Sequence, residues 1–332
     1  MSDWVSAVEA KAKIIHAQLG MARKIATDHN QNPDAISEPY LKLLNSLYKE
    51  EYPFAQLADS SDLVARFNGP SVDIYDPTVS IVITIFNDIR EQIRGIAKSI
   101  VGLSANDMVR WPSHLDPQLT GIAHGSLIVG INVPSKGESF SSNKQLELEE
   151  ISDQIFNSVK NAVRSLPIIA RHINEKNSDE AIREQFPDPA IRDTVMVAAR
   201  KLAPTGRKGI DSVSFMSAHG ENIKPAILTR LSRQLLSQEL AKPIKQKAVG
   251  TFEGVIREVD LDAKRFEIRN VQGIGSIRCA YSSELNNLVK DSLDSVVKIK
   301  GMYETLPSQL PRLIAIDSLE VIQRRAEQLE LP

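Results

Sequence analysis

The chain has 332 residues, with 40 lysines and arginines against 42 aspartates and glutamates, and its formal net charge is −2. Its 42% hydrophobic content is typical of globular proteins and too high for a disordered chain, and its length predicts two or three domains. The single cysteine, Cys279, excludes a disulfide framework and any metal site built from a cysteine cluster.

The N-terminus does not show the basic cap and apolar run of a secretory signal. The most apolar stretch, residues 79–86, is too short to cross a bilayer and runs directly into charged residues. We therefore expect a cytoplasmic protein that makes no membrane contact.

Apolar residues recur at helical spacing through most of residues 1–240. This spacing predicts helices over residues 3–29, 35–50, 79–103, 143–165, 178–185, 189–202 and 223–240. Strand patterns occur at residues 71–75, 119–133 and 210–216. Because strands are few and far apart, the sequence predicts a helix-rich α+β body with a small sheet, and it leaves the strand order open.

The period of the apolar residues changes to two after residue 248. Alternation predicts strands over residues 249–261, 264–271, 276–281, 295–303 and 311–322, with a short helix over 283–293. This order, with Gly250 and Gly254 in the long first strand and Val-Val-Lys-Ile-Lys-Gly at 296–301 in the fourth, resembles an OB-fold barrel. The resemblance covers residues 249–322 only, and no family is recognised for residues 1–240. The predicted domains are therefore 1–240, a basic linker at 241–248, and an OB-like β-barrel at 249–332.

Many OB-folds bind single-stranded nucleic acid or oligosaccharide on the face of their second and third strands. Alternation places an inward set in those strands, namely Phe266, Ile268, Ile277, Cys279 and Tyr281. The outward set is Arg265, Glu267, Arg269 and Arg278, which supplies cations for phosphates but no aromatic ring for base stacking. We expect weak backbone contact with nucleic acid or a protein–protein role on this face.

Positive charge is concentrated in residues 186–248, which carry 11 basic and 5 acidic side chains, a balance of +6. Such a band can contact a polyanion or an acidic protein surface, and it can also be a set of solvated helix faces. The candidate binding residues are Arg200, Lys201, Arg207, Lys208, Lys224, Arg230, Arg233, Lys242, Lys245 and Lys247, with Arg265, Arg269 and Arg278 from the barrel.

The sequence offers only one weak candidate for catalysis. His114, Asp116, His124 and Ser126 are the nearest approach to a hydrolase site, although no nucleophile-elbow or zinc-binding motif contains them. Gly206-Arg207-Lys208-Gly209 could cradle an anion through its backbone amides, but the pattern favours a plain basic turn. No cofactor and no metal site is predicted.

These patterns favour a non-enzymatic binding or scaffold subunit of a multi-protein or nucleic-acid-associated complex. We expect a protein partner, with DNA or RNA as the other possibility, and the sequence leaves the oligomeric state open. The alternatives are a hydrolase that uses the residues near His114, or a bacterial antiviral-defence component.

Overall fold

A computed structural model describes residues 4–72, 77–102, 116–123, 126–133, 149–175, 179–216, 225–244, 248–304 and 310–324. The chain divides into two compact units. The first contains the described residues within Met1–Asn87, His114–Lys144 and Ala203–Arg230. The second contains those within Asp88–Ser113, Gln145–Leu202 and Leu231–Pro332.

Helices occupy much of the described chain. They are α1 (Trp4–Asp28), α2 (Pro33–Ser46), α3 (Tyr52–Ser60), α4 (Val79–Ile100), α5 (Glu149–Glu175), α6 (Asp179–Gln185), α7 (Pro189–Leu202), α8 (Arg230–Leu240) and α9 (Asn286–Asp291). A π-helical turn, Leu47–Glu51, joins α2 to α3, and a 3-10 turn, Ser283–Leu285, precedes α9.

The first unit contains a five-stranded antiparallel sheet in the order β2-β3-β1-β4-β5. Its strands are β1 (Leu63–Asn68), β2 (Gln118–Ala123), β3 (Leu127–Asn132), β4 (Ser212–Met216) and β5 (Ala226–Thr229). The central strand β1 pairs with β3 on one side and β4 on the other, with Ala65 opposite both Val129 and Phe215. Three distant stretches of sequence therefore meet in this one sheet.

Helices α1 to α3 pack together, and α3 packs against one face of that sheet. Val8, Leu19, Leu44 and Leu47 form the apolar contact among the helices. Leu57 of α3 then reaches the sheet, where it packs with Val64 and Ile128.

The second unit contains a closed barrel in the order β10-β8-β7-β6-β9. Its strands are β6 (Ala248–Asp260), β7 (Arg265–Val271), β8 (Gly275–Ala280), β9 (Val296–Tyr303) and β10 (Leu313–Gln323). The first strand of the barrel pairs with the second and the fourth, and the third pairs in parallel with the fifth. The barrel interior is apolar and contains Phe266, Ile268, Ile277 and Cys279 among other buried residues.

The predicted fold class is confirmed, because a helix-rich α+β body is followed by a small five-stranded barrel with the OB-like order of elements. All five barrel strands lie within about two residues of their predicted ends. The inward set of the second and third barrel strands is also confirmed, since Phe266, Ile268, Ile277, Cys279 and Tyr281 are all buried.

The strand count of the body was wrong, because the sheet of the first unit has five strands rather than about three. Strand β1 went unpredicted because its first three residues, Leu63 to Ala65, are all buried, so the apolar pattern does not alternate there. The segment 119–133 is a hairpin of β2 and β3 rather than one strand. The predicted helix 223–240 begins only at Arg230, because the apolar residues 226–229 pair with β4 as strand β5.

The predicted short strand at 71–75 was also wrong where it can be judged, because Val72 closes a turn by donating from its backbone N–H to the carbonyl of Gly69 at 2.9 Å. Residues 73–76 lie outside the described residues, as do residues 245–247 of the predicted basic linker. The predicted domain boundaries at 240 and 249 therefore stay a prediction.

Candidate functional site

Helix α7 is fixed to the barrel from its first turn. One carboxylate oxygen of Asp188 accepts the backbone N–H groups of Ala190 at 2.8 Å and Ile191 at 3.2 Å, which caps the helix. Pro189 occupies the first helical position, where no backbone donor is needed. The other oxygen of Asp188 accepts from Nη1 of Arg312, just before β10, at 2.6 Å.

Asp193, one turn further along α7, lies between two barrel arginines. Nε of Arg265 lies 3.0 Å from both oxygens of this carboxylate, and Nη2 lies 2.6 Å from Oδ1. Nε of Arg278 donates to Oδ2 at 2.7 Å. Arg265 also donates to the backbone carbonyls of Leu240, Ala263 and Lys264 at 3.0 to 3.2 Å, so it joins α7, the end of α8 and the β6–β7 hairpin.

The two arginines determine the charge state of Asp193. Burial alone raises the pKa of this carboxyl group, but the charges and hydrogen bonds of Arg265 and Arg278 outweigh burial and lower it from 3.8 to about 2. Burial likewise lowers the pKa of Arg278, yet the carboxylates of Asp193, Glu258 and Asp260 raise it above its ordinary value. Asp193 and Arg278 are therefore both ionised at neutral pH.

A second buried ion pair joins α7 to the barrel. Nη2 of Arg192 donates to Oε2 of Glu304 at 2.6 Å, and both side chains are more than 90% buried. Nη1 of Arg192 donates to the carbonyl of Phe186 at 3.0 Å. Because an unpaired charge at such a position is costly, both partners are needed for α7 to stay in place.

These contacts change the interpretation of the OB-like face. Arg265 and Arg278 do point outward from β7 and β8, as the alternation predicts, but they meet Asp193 rather than solvent. Arg265 is only 4% exposed. Arg265 and Arg278, which the sequence suggested for phosphate contact, therefore bind helix α7 of the same unit.

An open cleft remains beside α7, with a volume of about 770 Å³. It is bounded by the second half of α4, by α7 and by strands β6 to β8. Its described lining contains five carboxylates and three cations, namely Glu91, Asp188, Glu258, Asp260 and Glu267 with Lys201, Arg278 and Arg312.

All three of the described cations in this cleft are held by carboxylates. Lys201 pairs with Asp260 at 2.9 Å, Arg312 with Asp188 at 2.6 Å, and Arg278 with Asp193. Burial alone raises the pKa of Asp260. The hydrogen bond from the backbone N–H of Ala263 and the ammonium of Lys201 outweigh burial, so the net pKa is lowered and this carboxylate stays charged. The cleft therefore presents a net negative lining.

The structure separates the candidate cations of the sequence into three groups. Lys201, Arg265, Arg269 and Arg278 are in ion pairs inside the second unit. Four others are exposed: Arg207, Lys208 and Arg230 in the first unit and Lys242 in the second. Arg200 and Arg233, also in the second unit, are partly buried. Lys224, Lys245 and Lys247 lie outside the described residues.

Of the hydrolase candidates, only Asp116 and Ser126 lie among the described residues, and His114 and His124 do not. Ser126 is buried, and its hydroxyl oxygen accepts from Nε of Arg66 at 2.7 Å. Arg66 is a cation rather than a general base, so this contact does not activate the serine for attack. Asp116 is partly buried, and no contact to Ser126 is described.

Cys279 is buried in β8, where burial raises the pKa of its thiol, so it is a core residue rather than a nucleophile. Within the described ranges, no group of three His, Cys, Asp or Glu side chains is arranged to hold a metal ion. In that same part of the chain, no helix is both long and apolar enough to span a membrane.

Sequence reasoning missed the residues that organise this region, above all Asp193 and Glu304. A signal was present, because Arg192 and Asp193 are the two charged residues among the buried positions of α7, between Ala190 and Val195. Charges at such positions indicate buried ion pairs, but their partners lie 72 to 112 residues away along the chain. No protein-family model and no curated protein matches this sequence.

Proposed function

We propose that this chain is a non-enzymatic binding subunit whose cleft in the second unit holds a lysine- or arginine-rich segment of a protein partner. The observation that carries this proposal is the cleft itself, which offers about 770 Å³ and an excess of two carboxylates over cations in its described lining. A negative concave surface attracts cationic groups and repels phosphates.

The internal use of the barrel face supports the same conclusion. Nucleic-acid-binding OB-folds present cations and stacking rings on their second and third strands. Here Arg265 and Arg278 are bound to Asp193. The described outward residues of these strands therefore favour a structural role for the barrel, with binding in the cleft beside it.

A direct test measures the binding of labelled probes by fluorescence anisotropy at low salt. The probes are a twelve-residue peptide alternating Lys and Ser, the matching Glu–Ser peptide, and single- and double-stranded oligonucleotides. We expect the Lys–Ser peptide alone to bind, with an affinity that falls as salt rises. The charge-removing variant Glu91→Gln, at an exposed lining position, should weaken binding about two- to fivefold.

Glu320→Gln is the matched control, because Glu320 is an exposed carboxylate on β10 that does not line the cleft. It should leave peptide affinity unchanged. Equal weakening by both variants would mean that net charge rather than the cleft attracts the peptide. Absence of peptide binding at low salt would refute the proposal.

A nucleic-acid partner remains the second candidate, supported by one feature of the first unit. Arg207, Lys208 and Arg230 are exposed there, and the Arg230 side chain lies against Gly206 in the same loop region. If oligonucleotides bind and a combined Arg207→Gln and Arg230→Gln variant abolishes that binding, this surface is the site. Affinity purification from the native host, with and without nuclease, then distinguishes a protein-held complex from a nucleic-acid-bridged one.

A further inference from the structure

A second cavity in the second unit has the opposite electrostatic character to the cleft. It has a volume of about 430 Å³, and it lies between the ends of α7 and α8 and the β6–β7 hairpin. Arg200 and Lys264 line it together with the hydroxyl-bearing Ser237, Ser282 and Ser283. It shares no described lining residue with the cleft.

Arg200 makes no ion pair with a carboxylate among the described residues. Its Nη2 donates to the backbone carbonyl of Asp262 at 2.9 Å, and its Nε is buried with no acceptor among the described residues. The carbonyl of Arg200 accepts a hydrogen bond from Arg233, which brings a second guanidinium close by. A buried N–H without an acceptor is rare in folded proteins and calls for a physical explanation.

Lys264, in the β6–β7 hairpin, supplies a second cation to the lining of this cavity. Its ammonium donates to the hydroxyl of Ser283, and it has no carboxylate partner among the residues that the structure describes. Arg265 also reaches this cavity, but Asp193 neutralises it. Asp262 is the one carboxylate in the described lining, and it is an exposed residue of the β6–β7 hairpin.

The remaining wall is apolar, with Leu240, Pro243 and Ile316 among its residues. The volume falls within the range of small-molecule sites, about 300–1,000 Å³. Two cations without an ion-pair partner among the described residues, one carboxylate and several hydroxyls line this cavity together with aliphatic side chains, and this combination matches a ligand that carries an anionic group and an apolar group.

We propose that this cavity binds a small organic phosphate. The phosphate oxygens accept hydrogen bonds from Arg200, Lys264 and the serine hydroxyls, and the organic group contacts Leu240, Pro243 and Ile316. A phosphate monoester suits the site better than a carboxylate, because it has close to two negative charges at neutral pH and three acceptor oxygens for several donors.

Isothermal titration calorimetry on the full chain tests this proposal with four probes: phenyl phosphate, inorganic phosphate, benzoate and phenol. We expect phenyl phosphate to bind most tightly, inorganic phosphate and benzoate at least about fivefold more weakly, and phenol not at all. Affinity for phenyl phosphate should rise as pH increases from 5.5 to 7.5, because the second phosphate ionisation has a pKa of about 6.

Lys264→Asn removes one cation without straining the backbone, because Lys264 has a φ of 54° and asparagine tolerates this left-handed conformation. We expect it to weaken phenyl phosphate binding about tenfold. Lys290→Gln is the matched control, since Lys290 is exposed on α9 and does not line the cavity. It should change affinity less than twofold.

Three results would overturn the proposal: no saturable binding of phenyl phosphate up to about 10 mM, equal weakening by Lys264→Asn and Lys290→Gln, or benzoate binding as tightly as phenyl phosphate at pH 7.5. Circular dichroism and urea unfolding establish that each variant is folded. If Lys264→Asn is unfolded, Ser282→Ala, at an exposed lining position, takes its place with an expected weakening of about threefold. The outcome is independent of the peptide test, because the two cavities are lined by different residues.

Discussion

The two five-stranded sheets of this protein are held to their neighbouring helices by different forces. In the first unit, Leu57 and the residues around it make apolar contacts between α3 and the sheet. In the second unit, α7 makes apolar contacts with the barrel through Ala190 and Val197, and buried ion pairs attach it in addition. The four charged residues that are buried in the described structure, Arg192, Asp193, Arg265 and Glu304, all belong to the second unit.

This difference has a consequence for specificity. Apolar contacts do not depend on the direction of approach, whereas a buried carboxylate must meet its arginine in one geometry or lose several kcal/mol. We therefore expect the position of α7 on the barrel to be sharply defined, and this helix forms one wall of both the cleft and the second cavity.

The largest expected effect comes from removing the shared carboxylate. Asp193→Ala leaves Arg265 and Arg278 charged and without their buried partner, so we expect a loss of about 3–5 kcal/mol in the free energy of unfolding. Urea unfolding followed by circular dichroism measures the loss. Glu253→Gln is the control, because its ion pair with Lys298 is exposed on the barrel surface, and it should cost less than about 1 kcal/mol. A loss below about 1 kcal/mol for Asp193→Ala would show that α7 is held by its apolar contacts instead.

The corresponding change in the first unit removes a buried leucine. Leu47 is 1% exposed and packs between α1 and α2, so Leu47→Ala should destabilise by about 2–5 kcal/mol through lost burial and a residual cavity. Because no charge is involved, this loss should be the same at pH 7 and pH 4.5. A loss that changes with pH would contradict the apolar account of this unit.

The pH dependence of stability distinguishes the two units further. The ordinary pKa of aspartate is 3.8, which applies to the unfolded chain, and the pKa of Asp193 is about 2 in the folded state, so the unfolded chain takes up this proton first as pH falls. The stabilisation is fully present above pH 4 and is lost towards pH 2, by about 2 kcal/mol for a shift of this size.

Asp193→Asn has no titrating group at this position, so its stability deficit relative to the natural chain should shrink by about 2 kcal/mol between pH 5 and pH 2. Urea unfolding at four pH values measures this difference. Leu47→Ala serves as the reference, since its deficit should stay constant. A deficit for Asp193→Asn that also stays constant would mean that the carboxylate titrates normally in the folded state.

The same contrast explains what the sequence could reveal. The barrel is continuous in sequence, and its strands have one buried and one outward face, so alternation located all five of them. The sheet of the first unit draws β1, the β2–β3 hairpin and the β4–β5 pair from distant segments. Strand β1 begins with three consecutive buried residues, Leu63 to Ala65, so no alternation reports its start.

The candidate site was less accessible to prediction for a related reason. Alternation correctly placed Arg265 and Arg278 outside the barrel, but it carries no information on what covers them. The covering residue, Asp193, lies 72 residues earlier in a separate helix. Pairing over such a distance depends on tertiary packing, which local propensity does not contain.

The smallest expected effect is the change in stability when either of two glycines is replaced by alanine, and we expect opposite signs at the two positions. Gly130 of β3 lies beneath α3, where an added Cβ would collide with the hydroxyl of Ser61 and lie 2.9 Å from Cδ2 of Leu57. Gly130→Ala should therefore destabilise by about 1–2 kcal/mol, since Leu57 must shift on the sheet. Gly20, within α1, has no atom within 4 Å of the same added carbon, so Gly20→Ala should stabilise by about 0.5–1 kcal/mol through helix propensity. Thermal unfolding of both variants measures the opposite shifts. If Gly130→Ala also stabilised the protein, the collision of its Cβ with Ser61 and Leu57 would be relieved without cost, and the packing of α3 on the sheet would not require a glycine at this position.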